Sequence, residues 1–426
     1  MPRSPRTILI ALTATIAFLG ACGGRKASAV SASGGCDQSI KLPTGFCALV
    51  FSESAGPARH LVVRKNGDVI VGVLDVRRQV GGLLALRDTN KDGHADIAER
   101  FGDAAVHGVL LAGDSVLYAS TATSILRYHF LDSLTPRKRI DTVVSGLPER
   151  APPSHSLAMD VRGNLIVNLG AVSNGCASPE TPNTRGRDPC PELETTGGIW
   201  RFSPDRVNQQ LKDGQRIATG LHNAVALAVN PHDTTIYAVS HGRDRLHELW
   251  PDVYTEQQAA TLPAEEMIRI TTVRADFGWP YCYYDYLKQE RAAAPEYADD
   301  AKQSGRCDHT IQPLIAFPAH WAPMSMLFYT GTMFPAAYRT GVFIAFHGSA
   351  FRAPLPEEGY HVVYLTFTRD NLAGDYSIFA TNFAGDMMSP EGAAHRAVGL
   401  AQGPDGALYL SDDKGGRIWR IIYSAK

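Results

Sequence analysis

The sequence predicts an all-β protein, a six-bladed β-propeller with loop insertions at one face. An apolar β-rich segment, a tight turn containing Gly, Asp or Asn, and a second β-rich segment recur six times along the chain. Alternating apolar positions around such turns mark antiparallel hairpins. The turns fall near residues 67, 113, 163, 232, 340 and 405, mostly at intervals of about 45 to 70 residues, and four-stranded blades repeat near 40 to 50 residues before loops are inserted. Helical periodicity is sparse, and a β-sandwich would not need six similar hairpins.

Residues 1–21 read as a lipoprotein signal peptide outside the fold. Arg3 and Arg6 supply a basic start, Ile8 to Leu19 an apolar stretch of secretory length, and Leu19-Gly20-Ala21-Cys22 a lipobox. The apolar run is shorter than the roughly 18 residues that would span a bilayer. The expectation is an exported chain, lipid-anchored at Cys22, facing the periplasm or cell exterior and touching membrane through that anchor alone. Residues 22–35 are small and polar and read as a flexible tether, which leaves 36–426 for the propeller.

The repeats follow in order: HLVVRKNGDVIVGVL at 60–74, GVLLAGDSVLYASTATSILRY at 108–128, LAMDVRGNLIVNLGA at 157–171, and AVALAVNPHDTTIYAVSHG at 224–242. A weaker copy, YRTGVFIAFHGS, is found at 338–349, and VGLAQGPDGALYLSDDKGGRIWRII at 398–422. The long interval between the turns at 232 and 340 must hold a complete blade plus an insertion. Insertions on a rigid scaffold commonly build a site, and residues 220–282 are the stretch where one is expected. TEQQAATLPAEEMIRI, residues 255–270, could carry one or two short helical turns.

With 41 Lys and Arg against 43 Asp and Glu over 426 residues, the formal charge is −2. That balance argues against nucleic acid as a partner. The length calls for two domains or one large closed β-fold. Of seven cysteines, six remain once Cys22 is set aside. Cys36 and Cys47, Cys176 and Cys190, and Cys282 and Cys307 are neighbours in sequence, and an exported compartment favours three local bridges among the possible pairings. No CxxCH is present, so a covalent c-type haem is excluded within this chain.

The sharpest local pattern is Asp88, Asn90, Asp92, Gly93, His94, Asp96 and Glu99. It places oxygen donors at loop positions 1, 3, 5, 7, 9 and 12 with Gly at the sharp turn, the spacing of a calcium loop; a solvated acidic turn is the other reading. His107, His155, His222, His241, His320 and His347 lie beside Gly or at strand ends, where propeller loops gather at the central channel. Each alone suits a structural role, whereas several converging at one mouth would suit chemistry. There is no HExxH zinc spacing, GxSxG elbow, Walker loop or dinucleotide turn. The aromatic run WPYCYYDY, 279–286, either stacks on a flat ligand or closes a blade.

Six segments carry a resemblance: GLHNAVALAVNP, SHGRDRLHELWPD, LPAEEMIRI, DFGWPYCYYD, FPAHWAPMSMLFYTGTMFPAAYRTGVFIAFHGS and RAVGLAQGPDGALYLSDDKGGRIWRI. With them the chain resembles the sorbosone dehydrogenase and soluble aldose dehydrogenase family over most of residues 40–422. That likeness implies a six-bladed propeller binding pyrroloquinoline quinone with Ca²⁺, oxidation of a sugar or related polyol or aldehyde, and a histidine as general base. It implies a separate cytochrome or quinone as a possible electron acceptor.

Carried over by position, Asn223 matches the Asn of the family's Arg-Asn pair and His222 stands at its Arg. The loop His241-Gly242-Arg243 matches one whose backbone carbonyls bind Ca²⁺, so Gly242 and Arg243 are expected to serve both metal and cofactor. His347 opens the HGS motif, Arg352 follows it, and Arg396 matches a cofactor-contacting arginine. The family's catalytic His-x-x-basic run falls on Pro152-Pro153-Ser154-His155. Pro152 stands at the histidine and His155 at the basic residue, so His155 is the expected base. Besides the dehydrogenase reading, a catalytically degenerate propeller binding a saccharide or protein, and a calcium-dependent lactonase, are the other classes weighed.

Overall fold

The computed structural model of the chain describes residue 1 and residues 35–424 apart from 76–79, 137–139, 151–153, 299–303 and 369–370. The lipobox, the tether up to residue 34 and Pro152 lie outside the described residues.

The strands form six four-stranded antiparallel blades, as the repeats predict. Blade 1 is Ala58–Val63, Val69–Asp75, Val80–Arg87 and Ile97–Phe101, and blade 2 is Val109–Ala112, Val116–Ser120, Ile125–His129 and Ile140–Val144. Blade 3 is Leu157–Met159, Leu165–Leu169, Gly198–Phe202 and Gln215–Thr219; blade 4 is Asn223–Val229, Ile236–His241, Glu265–Ile270 and Ile315–Phe317. Blade 5 is Pro323–Phe328, Gly341–His347, Tyr360–Thr368 and Ser377–Ala380. Blade 6 takes Ala397–Gln402, Leu408–Asp412 and Ile418–Tyr423 from the end of the sequence and Phe46–Ser52 from its start, paired Phe46 to Tyr423. The first strands of the blades contact one another in sequence, and Ala397–Gln402 meets Ala58–Val63, closing the ring.

Alternation along each strand serves two interfaces, because a blade is covered on both faces. In Val69–Asp75, Val69, Val71 and Val73 pack toward Tyr409, Ile418 and Ile422 of blade 6, while Ile70 packs toward Leu117, Ala119 and Tyr128 of blade 2. Each fully buried aliphatic contributes about 1.5–3 kcal/mol. Polar staples join blades near the axis. Ser120 Oγ donates to the His155 carbonyl of blade 3 at 2.5 Å and accepts from Gly108 N, and Ser411 Oγ does the same with Arg59 of blade 1 and Gly399 N. A Cβ on Gly108 would stand 2.4 Å from the His155 carbonyl, so the residue before the strand must be glycine.

Antiparallel order fixes which loops share an end. First strands start, and second strands finish, at one face, here called the mouth. Loops 170–197, 242–264, 348–359 and 381–396 therefore all lie there, and the acidic loop 88–96, between third and fourth strands, lies at the opposite face. Blade 4 is the exception. After Glu265–Ile270 the chain runs parallel beside blade 3, Ala275 against Ala218, and returns to the mouth as WPYC and a hairpin of Cys282–Asp285 with Glu290–Ala293. Disulfides Cys36–Cys47, Cys176–Cys190 and Cys282–Cys307 form as expected from proximity, at S–S distances of 2.06, 2.00 and 2.03 Å. Within 255–270, helix is confined to Glu256–Ala259, capped by Thr255, and Glu265–Ile270 is strand.

Candidate active site

The mouth collects histidine because the repeat writes it there. His60, His107, His155, His222 and His320 start or precede first strands, and His241 and His347 end second strands. Between blades 6, 1 and 5, Arg59 Nη1 meets Asp413 Oδ2 at 2.5 Å, with both side chains 10% exposed. Arg59 Nε donates to His107 Nδ1 at 3.2 Å, which leaves the His107 proton on Nε2, a buried atom with no partner. His347 Nδ1 lies 3.4 Å from the same Asp413 oxygen, and Arg396 donates to the carbonyls of His347 and Gly348 at 2.9 and 2.6 Å. Burial alone would raise the Asp413 carboxyl, but His347, Arg59 and Arg396 outweigh it and hold it well below the usual range.

On the side of blades 3, 4 and 5, His222 Nδ1 is buried without a partner, and its ring lies 6.1 Å from Trp279. Burial, then Arg150, pushes His222 down to about 3. Burial, then His347, takes His241 to about 3 as well, its Nε2 lying 2.8 Å from the Pro323 carbonyl. These rings are neutral at physiological pH. His320 is opposite in kind: burial disfavours its charge, but the bond to Asp244, Nδ1 to Oδ1 at 3.1 Å, raises it. With Nε2 also 2.9 Å from the Ala259 carbonyl, both nitrogens donate, as in an imidazolium.

Glu265, 2% exposed, accepts from Gly242 N at 3.0 Å and Ala322 N at 3.1 Å, and burial pushes its carboxyl up to about 8. It thereby ties the Gly242-Arg243 ledge to a loop in which His320 and Ala322 take left-handed φ of 65° and 56°.

The residues expected from the sequence are placed as follows. His155 is buried, with Nδ1 3.1 Å from the Asn168 carbonyl and Nε2 3.0 Å from that of Ala122; to meet a substrate hydroxyl it must turn one nitrogen away from its carbonyl. Asn223 Oδ1 accepts from Asn168 Nδ2 at 2.9 Å and Ser154 Oγ at 3.3 Å. Arg243 is paired with Glu296, which also accepts from Trp250 Nε1 at 3.0 Å, and its Nε and Nη2 are buried without partners. Arg352 is a buried anchor, donating to the carbonyls of Pro356 and Ala319 at 3.1 and 3.0 Å. His222, His241, Gly242, Arg243 and Trp279 line one recess.

The calcium-like loop differs from its expectation. Asp88 accepts from Lys91 N and Gly93 N, Asp92 from His94 N, and Asp96 from Thr89. His94 turns Nδ1 to the Val50 carbonyl at 2.5 Å, and Glu99 sits in a strand, bonded to Thr135 Oγ1 at 3.2 Å. Position 12 points away because a strand, not a helix, follows the loop. Among the described residues no three His, Cys, Asp or Glu side chains gather to hold a metal.

The TrAA12-like family model matches residues 40–424. The chain belongs to the TrAA12-like family. Solved structures similar to this TrAA12-like protein include the Carbohydrate-Active Enzymes Family AA12 protein of Trichoderma reesei, 20% identical, TM-score 0.74, covering 90% of this chain and 98% of that one. The holo pyranose dehydrogenase PQQ domain of Coprinopsis cinerea is 18% identical, TM-score 0.71, covering 90% and 97%. The soluble aldose sugar dehydrogenase of Escherichia coli, in its apo form, is 16% identical, TM-score 0.60, covering 89% and 100%. These likenesses show the six-bladed fold. A curated relative, an uncharacterized protein of Borreliella burgdorferi, is 28% identical over 218 residues, so the match spans about half of each chain.

Sequence reasoning missed Arg59, His60, Arg150, Asp244, Glu265 and Asp413 in this TrAA12-like mouth. The signal was present for some of them. Asp413 follows the second strand of the last repeat, as Gly242 and Gly348 follow theirs.

Proposed function

We propose that the protein is an exported oxidoreductase, lipid-anchored at Cys22, that oxidises a sugar or related polyol or aldehyde with pyrroloquinoline quinone and Ca²⁺. A separate cytochrome or quinone would take up the electrons. The observation that carries the reading is electrostatic. The guanidinium groups of Arg150 and Arg396 make no ion pair among the described residues, bonding instead to Ser154 Oγ and to the carbonyls of His347 and Gly348, and the buried donors His107 Nε2 and Arg243 Nη2 lack partners. Donors left unsatisfied in a low-dielectric site favour an anionic, acceptor-rich ligand, and a polycarboxylated quinone fits that description. The carbonyls of Gly242 and Arg243 accept no hydrogen bond among the described residues, which suits a cation ledge.

Bound there, the quinone would supply a two-electron acceptor. Arg150 and Arg396 would orient its anionic groups. A mouth imidazole would take the substrate hydroxyl proton. His155 holds the position matched by sequence, while His222 Nδ1 carries no hydrogen bond, so His222 is the second candidate for the base. The test is to add quinone and Ca²⁺ to the apoprotein and follow dye reduction with aldoses, comparing His222→Ala with His155→Ala. Failure of the wild type to bind the quinone sinks the proposal. Binding without turnover leaves a saccharide- or protein-binding propeller.

A further inference from the structure

We infer that Phe351 is a stacking platform that selects a pyranose ring at the mouth, an inference that rests on the sugar-oxidising reading above. Among the described residues Phe351 is the one exposed Phe, Tyr or Trp, 43% exposed. Large aromatic rings bring most value when desolvated, and the other described aromatics are at least partly buried.

The ring is exposed on a backbone that is held on both sides. Upstream, the carbonyls of His347 and Gly348 accept from Arg396. Downstream, the Arg352 backbone N–H donates to Glu357 at 3.2 Å, and its guanidinium reaches Glu358 at 3.1 Å and the Ala319 carbonyl. A rigid, solvent-facing aromatic loses little entropy on binding.

Its neighbours complete the recognition chemistry. The Phe351 ring lies 6.0 Å from His320, tilted by 49°, and His320 carries Asp244, whose side chain keeps 34% of its exposure. A pyranose offers an apolar C–H face and equatorial hydroxyls. The exposed ring meets the C–H face, and the Asp244 carboxylate, held by the His320 ring beside Phe351, keeps exposed oxygen to accept from hydroxyls.

The experiment uses the full chain with Phe351→Ala and Phe351→Trp, and D-glucose and cellobiose as probes. Saturation-transfer NMR on the ligand-free-of-quinone protein reads sugar contact. Dye-linked kinetics on the quinone-loaded protein read KM apart from kcat. Phe351→Ala should weaken sugar binding and raise KM by roughly 2- to 12-fold with kcat unchanged, Phe351→Trp should retain or tighten binding, and thermal stability should not move because the ring is exposed. Sugar binding lost in Phe351→Ala while wild type gives no quinone-dependent turnover would sink the redox reading and keep this inference. Turnover with KM unchanged in Phe351→Ala, or no sugar contact in wild type, would overturn this inference. Loss of a protein partner with sugar binding unaltered would overturn it as well.

Discussion

Asp413→Ala should destabilise the fold by about 3–5 kcal/mol, the cost of stranding one partner of a buried ion pair. The structure sets the magnitude: Asp413 and Arg59 are each 10% exposed at the side chain and 2.5 Å apart, and Arg396 and His347 stand beside them. Removing the carboxylate leaves Arg59 uncompensated against a buried His107. At about 2.1 cal/mol/K of unfolding entropy per residue, a domain of this size should lose roughly 4–6 °C in Tm. Asp413→Asn, which retains an acceptor oxygen, should lose less. Denaturant melts of Asp413→Ala, Arg59→Met and the double variant would give the coupling energy. Because the Asp413 carboxyl is depressed in the fold, its stabilisation is present above the ordinary aspartate pKa and is lost as pH falls below about 4. The variant should therefore show a shallower acid slope than wild type. A single-variant loss under about 1 kcal/mol, or coupling within about 0.5 kcal/mol of zero, would refute the account.

Other outcomes are expected. Glu265, raised to about 8, remains protonated in the fold while the unfolded chain ionises near 4.5, so stability should fall as pH rises between those values, and Glu265→Gln should flatten that slope in pH-dependent melts. Asp88→Ala should cost about 1–2 kcal/mol in chelator, since its bonds to Lys91 N and Gly93 N need no ion; a distinctly larger loss in Ca²⁺ would make the loop a metal site. Replacing Cys282 and Cys307 by Ser opens a loop of separation 25 and should cost about 3.5 kcal/mol on the chain-entropy model, measured by urea unfolding without reductant.

The blade count was legible because period-2 alternation and turn chemistry are local, and each blade repeats them. Disulfide pairing was legible for the same reason: partners close in sequence needed little guessing. What escaped was anything fixed by convergence. Asp413 and Arg59 are 354 residues apart, and no spacing rule links them. The spacing of the acidic loop is local, but the setting of its twelfth position, Glu99, depends on the strand that follows, Ile97–Phe101. His155 had the right address at the mouth, yet its two carbonyl contacts come from Ala122 of blade 2 and Asn168 of its own blade.

Blade 6 borrows its outer strand, Phe46–Ser52, from the opposite end of the sequence, locked onto Ile418–Tyr423. The ring therefore cannot shut until its last strand has been delivered. Without that strand the faces of blades 1 and 5 that pack against blade 6 are left uncovered, and a chain stopped before Arg396 would give the mouth neither Asp413 nor Arg396. Assembly of the site and closure of the circle are one event, so an incomplete chain should be recognised as such by proteases and chaperones before it can bind anything.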